Sequence, residues 1–238
     1  MKRAALFLPV LLALALLSGV IALSNGSSHT DLLSVWRVLI GQEQGLAYDL
    51  VMRLRLPRAS NAFTTGAMLA LAGALMQVLL RNPLADPYVL GISGGAAVAA
   101  LSGILLGVAG IWLNGAAFMG ALLSMFLVFG LARGAGAWTS SRLLLTGVIV
   151  AAGWGALISL LLVMSPEAKL RGMLFWLMGD LGNGDSILPG IVGLVLGLML
   201  SLPAARSLNV MVRGEMAARA LGVSVRALRL HLYLVASL

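Results

Sequence analysis

The sequence predicts an all-α polytopic membrane protein, with six complete transmembrane helices and the start of a seventh. Hydrophobic residues make up 61% of the 238 and charged residues 10%, against roughly 25% charged in soluble domains. Mean hydropathy is +1.04. Six stretches reach or approach the roughly 20 apolar residues needed to cross a bilayer core. They lie at about 4–23, 59–80, 88–107, 115–132, 143–164 and 187–205, and a seventh begins near 226.

The first stretch follows Lys2 and Arg3 and ends at Ala22-Leu23-Ser24, a poor signal-cleavage site. Its apolar run exceeds the 7–15 residues of a signal core, so it reads as an uncleaved span. In the loop 25–57, "TDLLSVWRVLIG" puts Leu32, Leu33, Trp36, Leu39 and Ile40 on one helical face. Thr30 or Asp31 can cap this segment and Gly41 can end it, which predicts a short helix on the membrane surface. "VMRLRLPRAS", residues 51–60, then gathers Arg53, Arg55 and Arg58 within six positions.

"RNPLADP", residues 81–87, joins the second and third spans. Pro83 and Pro87 interrupt helical continuity while Asn82 and Asp86 favour turns and caps, so spacing alone predicts a tight turn. "SPEAKLRGMLFWLMGD" follows the fifth span. Ser165 is its expected N-cap, with Pro166 in the first turn and Glu167 at the positive helix end. Leu170, Met173, Leu174 and Leu177 share a face up to Gly179, which predicts a half-buried surface helix. Its Phe175–Trp176 pair suits an interfacial anchor or a ligand contact. In "RSLNVMVRGEMAARALGVSVRALR", Gly214 precedes a helical run from Glu215 to Leu221 that Gly222 stops. Ser224 is positioned to cap the next helix, which carries Arg226 and Arg229. This knob suits either a soluble partner's grip or a solvated connection.

Orientation follows from charge. With the N-terminus inside, Lys2, Arg3, Arg81, Arg133, Arg142, Arg206, Arg213, Arg219, Arg226 and Arg229 are cytoplasmic. Arg37, Arg53, Arg55, Arg58, Lys169 and Arg171 are external, giving ten against six as the positive-inside rule requires. Asp86 and Glu215 fall inside; Asp31, Glu43, Asp49, Glu167, Asp180 and Asp185 fall outside. The arginine cluster at 53–58 is therefore external, against the usual bias.

Several functions are disfavoured. The chain has no cysteine, which removes disulfides and Cys-based metal sites, and His29 and His231 lie too far apart in sequence to suggest a metal site. The net charge of +8 sits at span ends and in loops, which suits membrane orientation better than nucleic acid. No Asp, Glu, Lys or Arg lies mid-span, where such a group usually marks an ion or proton pathway. Small residues repeat at helical spacing at Gly95, Ala99, Gly103 and Gly107, at Gly66, Ala70 and Ala74, and at Gly193 and Gly197. Such faces let helix backbones approach closely.

Taken in order, "LRLPR", "GAMLALAGALMQVLLRNPLADPYVLGISGGAA", "FWLMGDLG" and "LNVMVRGEMAARALGV" resemble the FecCD/BtuC-type permeases of iron-siderophore, haem and vitamin B12 importers. These are membrane subunits of type II ATP-binding-cassette importers, and the resemblance runs from about residue 50 to the chain end. It implies a ten-helix permease in a homodimer or a paired permease, in the bacterial cytoplasmic (inner) membrane. It also implies an external or periplasmic substrate-binding protein and two cytoplasmic ATPases. By the same resemblance Arg55 and Arg58 face acidic groups on the binding protein. Gly214, Glu215, Ala218, Arg219, Leu221 and Gly222 belong to the loop that seats on the ATPase, though Glu215 to Gly222 is one residue longer than the importer-wide E-A-A-x-x-x-G pattern. Asn82, Pro83, Asp86 and Pro87 form the family's motif turn, and Gly147, Ala151 and Gly155 lie near the path. The family's further spans lead to the expectation that residues 1–238 are a single transmembrane domain, incomplete at its C-terminus.

A permease of this kind performs no chemistry and holds no cofactor. The GxxxxGK[ST] phosphate loop is absent, so ATP and magnesium belong to the partner ATPase. An ion-coupled secondary carrier or a nontransporting membrane fragment are the alternatives. Membrane lipid is the remaining expected contact, and nucleic acid is not expected.

Overall fold

The computed structural model describes residues 2–26, 30–133, 140–179, 181 and 187–237. His29, Asp180, Gly182 and Asp185 lie outside them. The elements are α1 (Lys2–Ser24), α2 (Leu32–Leu39), α3 (Leu46–Tyr48), a π-helical stretch (Asp49–Arg55), α4 (Leu56–Leu80), a 3-10 turn (Pro87–Leu90), α5 (Ile92–Leu105), α6 (Ile111–Arg133), α7 (Ser140–Met164), α8 (Glu167–Met178), α9 (Leu188–Ser201), a 3-10 turn (Leu202–Ala204), α10 (Ala205–Val212), α11 (Glu215–Ala220) and α12 (Val225–Ala236).

The described residues contain five helices long and apolar enough to cross a membrane: Phe7–Ser24, Leu46–Leu80, Ile111–Ala132, Ser141–Met164 and Leu188–Val212. The expected third span, 88–107, takes another form. Pro87 opens a 3-10 turn, Gly91 breaks it at φ +71°, and α5 keeps only 14 residues. At about 1.5 Å per residue that is about 21 Å, short of a hydrocarbon core of about 30 Å. The helix expected near 226 is present as α12. The second span begins at Leu46 rather than 59, because the chain remains helical through Pro57. In the π-helical stretch the Leu56 N–H bonds to Val51 O, five residues back. The widened turn absorbs the proline, whose ring would clash with a carbonyl in an α-helix.

Two compact units emerge. One comprises residues 1–66 and 181–191. Its core is Val35, Val38 and Val51, with Leu23, Ala47 and Met52 packed around them. As expected, Asp31 occupies the N-cap position of α2, without a side-chain bond, and Gly41 ends the helix at φ +75°. Thr64 lies against Gly190, where a Cβ would approach Thr64 Oγ1 to 2.7 Å.

The other unit comprises residues 67–180 and 192–238. The small-residue face of α5 packs on α6 with main chain touching main chain. A Cβ on Gly95 would sit 2.4 Å from Gly120 O, and one on Gly120 would sit 2.3 Å from Gly95 O. On α9, Gly193 and Gly197 make room for Met68 and Leu71 in the same way. One core joins Met76, Leu79, Leu90, Met125, Phe129 and Tyr233, the two rings meeting edge to face at 4.3 Å. A second joins Leu75, Met211, Ala218, Val225, Leu228 and Leu232.

A buried polar relay fixes the break before α5. Trp154 Nε1 donates to Ser124 Oγ at 2.8 Å, and Ser124 Oγ donates to Gly91 O at 2.7 Å. Gly91 O also accepts from Gly95 N, so loss of the serine would orphan chiefly the indole N–H. Ser124→Ala is expected to destabilise the fold by about 1–3 kcal/mol, the cost of a buried unsatisfied donor. Thermal unfolding in detergent reads this, and an unchanged midpoint would refute it.

Helix α8 corrects one expected cap. Pro166 occupies the N-cap position with no side-chain cap bond. Ser165 Oγ instead donates back to Leu161 O at 2.5 Å and contacts Met173 Sδ at 3.0 Å. The hydroxyl has a carbonyl of the preceding helical turn within reach and takes it. Lys169 Nζ donates to Leu105 O at 2.6 Å, tying α8 to the C-terminal end of α5, where a cation complements the helix dipole.

Candidate functional site

The arginine cluster lies on helix rather than in a loop. Arg53 is exposed and paired with Asp49 at 3.0 Å, one helical turn back. Arg55 is half-buried and points at the end of α1. Its Nη1 donates to Leu23 O at 2.7 Å and also bonds Thr30 Oγ1. The guanidinium lies so close to Gly26 that a Cβ there would meet Nη2 at 2.8 Å. Arg55 therefore satisfies a C-terminal carbonyl of α1, where positive charge also complements the helix dipole. Arg58 is exposed, and no hydrogen bond or ion pair holds it among the described residues.

The 81–87 turn forms as its sequence dictates. Arg81 adopts φ +51°, and Arg81 N bonds Val78 O while Asn82 N bonds Gln77 O. That pair of bonds closes α4 in a Schellman ending. Asn82 Oδ1 accepts from Leu84 N at 3.0 Å and Asp86 Oδ1 from Tyr88 N at 2.7 Å. Pro83 and Pro87 supply the fixed φ between these side-chain bonds. Arg81 Nη2 comes within 3.8 Å of where a Cβ on Gly214 would stand. The 81–87 turn and the segment around Gly214 are thus neighbours.

The segment 214–222 holds the expected short helix. Gly214 is the N-cap residue at φ +125°, and α11 runs from Glu215 to Ala220 with Leu221 as its C-cap. Gly222 at φ +77° closes it, with Gly222 N bonded to Arg219 O and Val223 N to Ala218 O. Ser224 stands at the N-cap of α12, but its side chain makes no capping bond. Ala218 is buried, whereas Met216 is 87% exposed and Leu221 69%. Two large apolar side chains thus face outward from a helix anchored by one small one. Glu215 pairs with Arg219 at 2.7 Å and with Arg229 at 3.0 Å. Arg229 had been counted among the charges that orient the chain, yet it is only 3% exposed.

Of the residues expected near a path, Gly147 is buried on α7. Ala151 backs onto Gly91, whose Cβ would come within 3.1 Å of its nitrogen, and Gly155 faces open space. A cavity of about 570 Å³ opens elsewhere on this unit between α6 and α12, with Phe126, Phe129, Arg226 and Leu230 in its wall. Sequence reasoning had not singled it out. Its wall is mostly apolar, with Ser224 and Arg226 as its polar members.

Long apolar helices packed through small residues, with a short helix presenting apolar side chains outward, define a polytopic membrane protein. The chain belongs to the FecCD transport family, which residues 13–238 match. It is 35% identical over 235 residues to the ABC transporter permease protein YvrB of Bacillus subtilis, covering 92% of this chain and 66% of that one. Identity is 40% over 197 residues to the cobalamin import system permease BtuC of Halobacterium salinarum, covering 80% and 52%. Against the vitamin B12 import system permease BtuC of Yersinia enterocolitica it is 37% over 227 residues, covering 94% and 65%. The chain thus spans between half and two thirds of the length of these relatives. A solved inward-facing conformation of a metal-chelate type ABC transporter superposes with a TM-score of 0.82 at 29% identity, covering 100% of this chain and 73% of that one.

Proposed function

We propose that this chain is the membrane-spanning part of an ATP-binding-cassette importer permease. It moves a metal chelate of the iron-siderophore, haem or cobalamin type inward across the bacterial cytoplasmic membrane. The observation that carries this reading is α11, a six-residue helix with Met216 and Leu221 turned outward and Ala218 turned in. A helix this short does not stand alone in water, and its exposed apolar pair suits a groove on a soluble partner. Two cytoplasmic ATPases supply that groove. ATP and magnesium bind there, and their closure moves α11.

On the outer surface a substrate-binding protein docks through acidic groups on Arg58. Arg55 reaches such a carboxylate only by exchanging its contacts with Leu23 and Thr30, so Arg58 leads. Arginine suits the task because its fork binds a carboxylate through two hydrogen bonds. A second copy or a paired permease completes the path, with Gly147, Ala151 and Gly155 of α7 placed near the seam. The N-terminus is cytoplasmic.

The absence of cysteine makes the arrangement testable. Single cysteines are introduced at position 58 and, separately, at position 216. Intact cells are treated with a membrane-impermeant maleimide. Labelling at 58 without labelling at 216 is expected. Labelling at 216 alone would invert the topology and remove both docking roles.

A further inference from the structure

Arg229 is a buried cation in a layer of apolar side chains. It is 3% exposed, on the α12 face that also carries Val225, Leu228 and Leu232. Its Nη2 donates to Glu215 Oε2 at 3.0 Å, while the other oxygen of that carboxylate accepts from Arg219 at 2.7 Å. The two arms differ in kind. Arg219 is 69% exposed in its side chain and one turn from Glu215 on the same helix, an arrangement that water and salt weaken. The Arg229 arm crosses from α11 to α12 and is shielded from water.

A buried ion pair is a poor source of net stability, because its desolvation offsets its attraction. Its strength is geometric: the carboxylate must stay within hydrogen-bonding distance and direction of the guanidinium or lose a charge-assisted bond that water cannot readily replace. Among the described residues Ala218 also packs in that layer, and a methyl group slides where an ion pair does not. From this geometry we infer that Arg229 is the positioning residue that makes α11 and α12 move as one body. Motion imposed on Glu215 by a docked ATPase then reaches the membrane helices instead of dissipating in a six-residue helix. The inference rests on the proposed role of α11 as the ATPase contact.

The test uses the permease co-expressed with its ATPase and purified as the assembled complex in lipid nanodiscs. Basal ATP hydrolysis and hydrolysis stimulated by the binding protein are both measured. Arg229→Met keeps length and apolar packing but removes the charge. It is expected to reduce the stimulated component at least tenfold while the ATPase still co-purifies, and the swap Glu215→Arg with Arg229→Glu is expected to recover a substantial part. Should Arg229→Met fail to yield a complex, Glu215→Gln is read instead, since it retains volume and hydrogen-bonding capacity. Loss of stimulation there supports the positioning role and full stimulation overturns it. A wild-type chain that captures no ATPase overturns both this inference and the role of α11. A wild-type complex whose stimulation survives Arg229→Met overturns the positioning role alone.

Discussion

Gly120→Val is expected to abolish the folded permease. The Cβ alone would stand 2.3 Å from Gly95 O and 2.5 Å from Ala99 Cβ. Both belong to α5, so no side-chain rotation relieves the clash and α5 must leave α6. Overpacking that side chains can absorb costs about 1–3 kcal/mol. A backbone clash in the middle of a helix pair exceeds that, and it also uncouples the Ser124–Gly91 hydrogen bond that joins the same two segments. Fluorescence-detected gel filtration of detergent extracts should show the monodisperse peak lost. Gly115→Ala, on the same helix, meets nothing within 4 Å and should be neutral or stabilising by up to about 1 kcal/mol, the propensity difference between the residues. If Gly120→Val retains a normal peak and unfolding midpoint, the α5–α6 contact described here is wrong.

Charge reversal at Arg58 should carry the largest functional effect. Arg58→Glu places a like charge opposite the acidic groups proposed on the binding protein. Such a juxtaposition costs several kcal/mol and slows encounter. At about 1.4 kcal/mol per tenfold, uptake at limiting binding-protein concentration should fall ten- to a hundredfold, with a smaller loss at saturation. Raising ionic strength should depress wild-type uptake and partly relieve the variant's defect. Arg53→Glu provides the contrast, because Arg53 is already compensated by Asp49. Equal losses at both positions would reduce the cluster to bulk surface charge, and no loss at Arg58 would end its docking role.

Much of this was legible in the sequence because local chemistry decided it. Asn82 and Asp86 cap through their own side chains whatever surrounds them, and Gly214 and Gly222 take backbone angles that other residues avoid. Length and hydropathy located the long helices. Three features departed from the reading that composition and spacing suggest. The second span reads as starting near 59, yet the helix starts upstream and runs through Pro57 by way of a wide turn. Residues 88–107 read as one span because apolarity runs through Gly91, which the Ser124–Trp154 relay holds in a left-handed break. Ser165 reads as a cap, but the end of α7 offered its hydroxyl a nearer acceptor. Arg229 was half legible. Its spacing from Val225 and Leu232 put it on the apolar stripe of its helix, but only the fold shows that Glu215 meets it there.

The π-helical stretch at Asp49–Arg55 has a consequence for how the chain tolerates change in length. Hydrogen bonds five residues apart amount to an α-helix that has swallowed one extra residue, the surplus being stored as girth rather than as a shift in register. Deleting one residue here would draw that slack out and return the segment to ordinary pitch, leaving Arg58 aimed as before. The same deletion a few residues downstream would turn every following side chain by about 100°, one residue's share of a 3.6-residue turn. The stretch is therefore a length buffer immediately ahead of the side chain proposed to meet the binding protein.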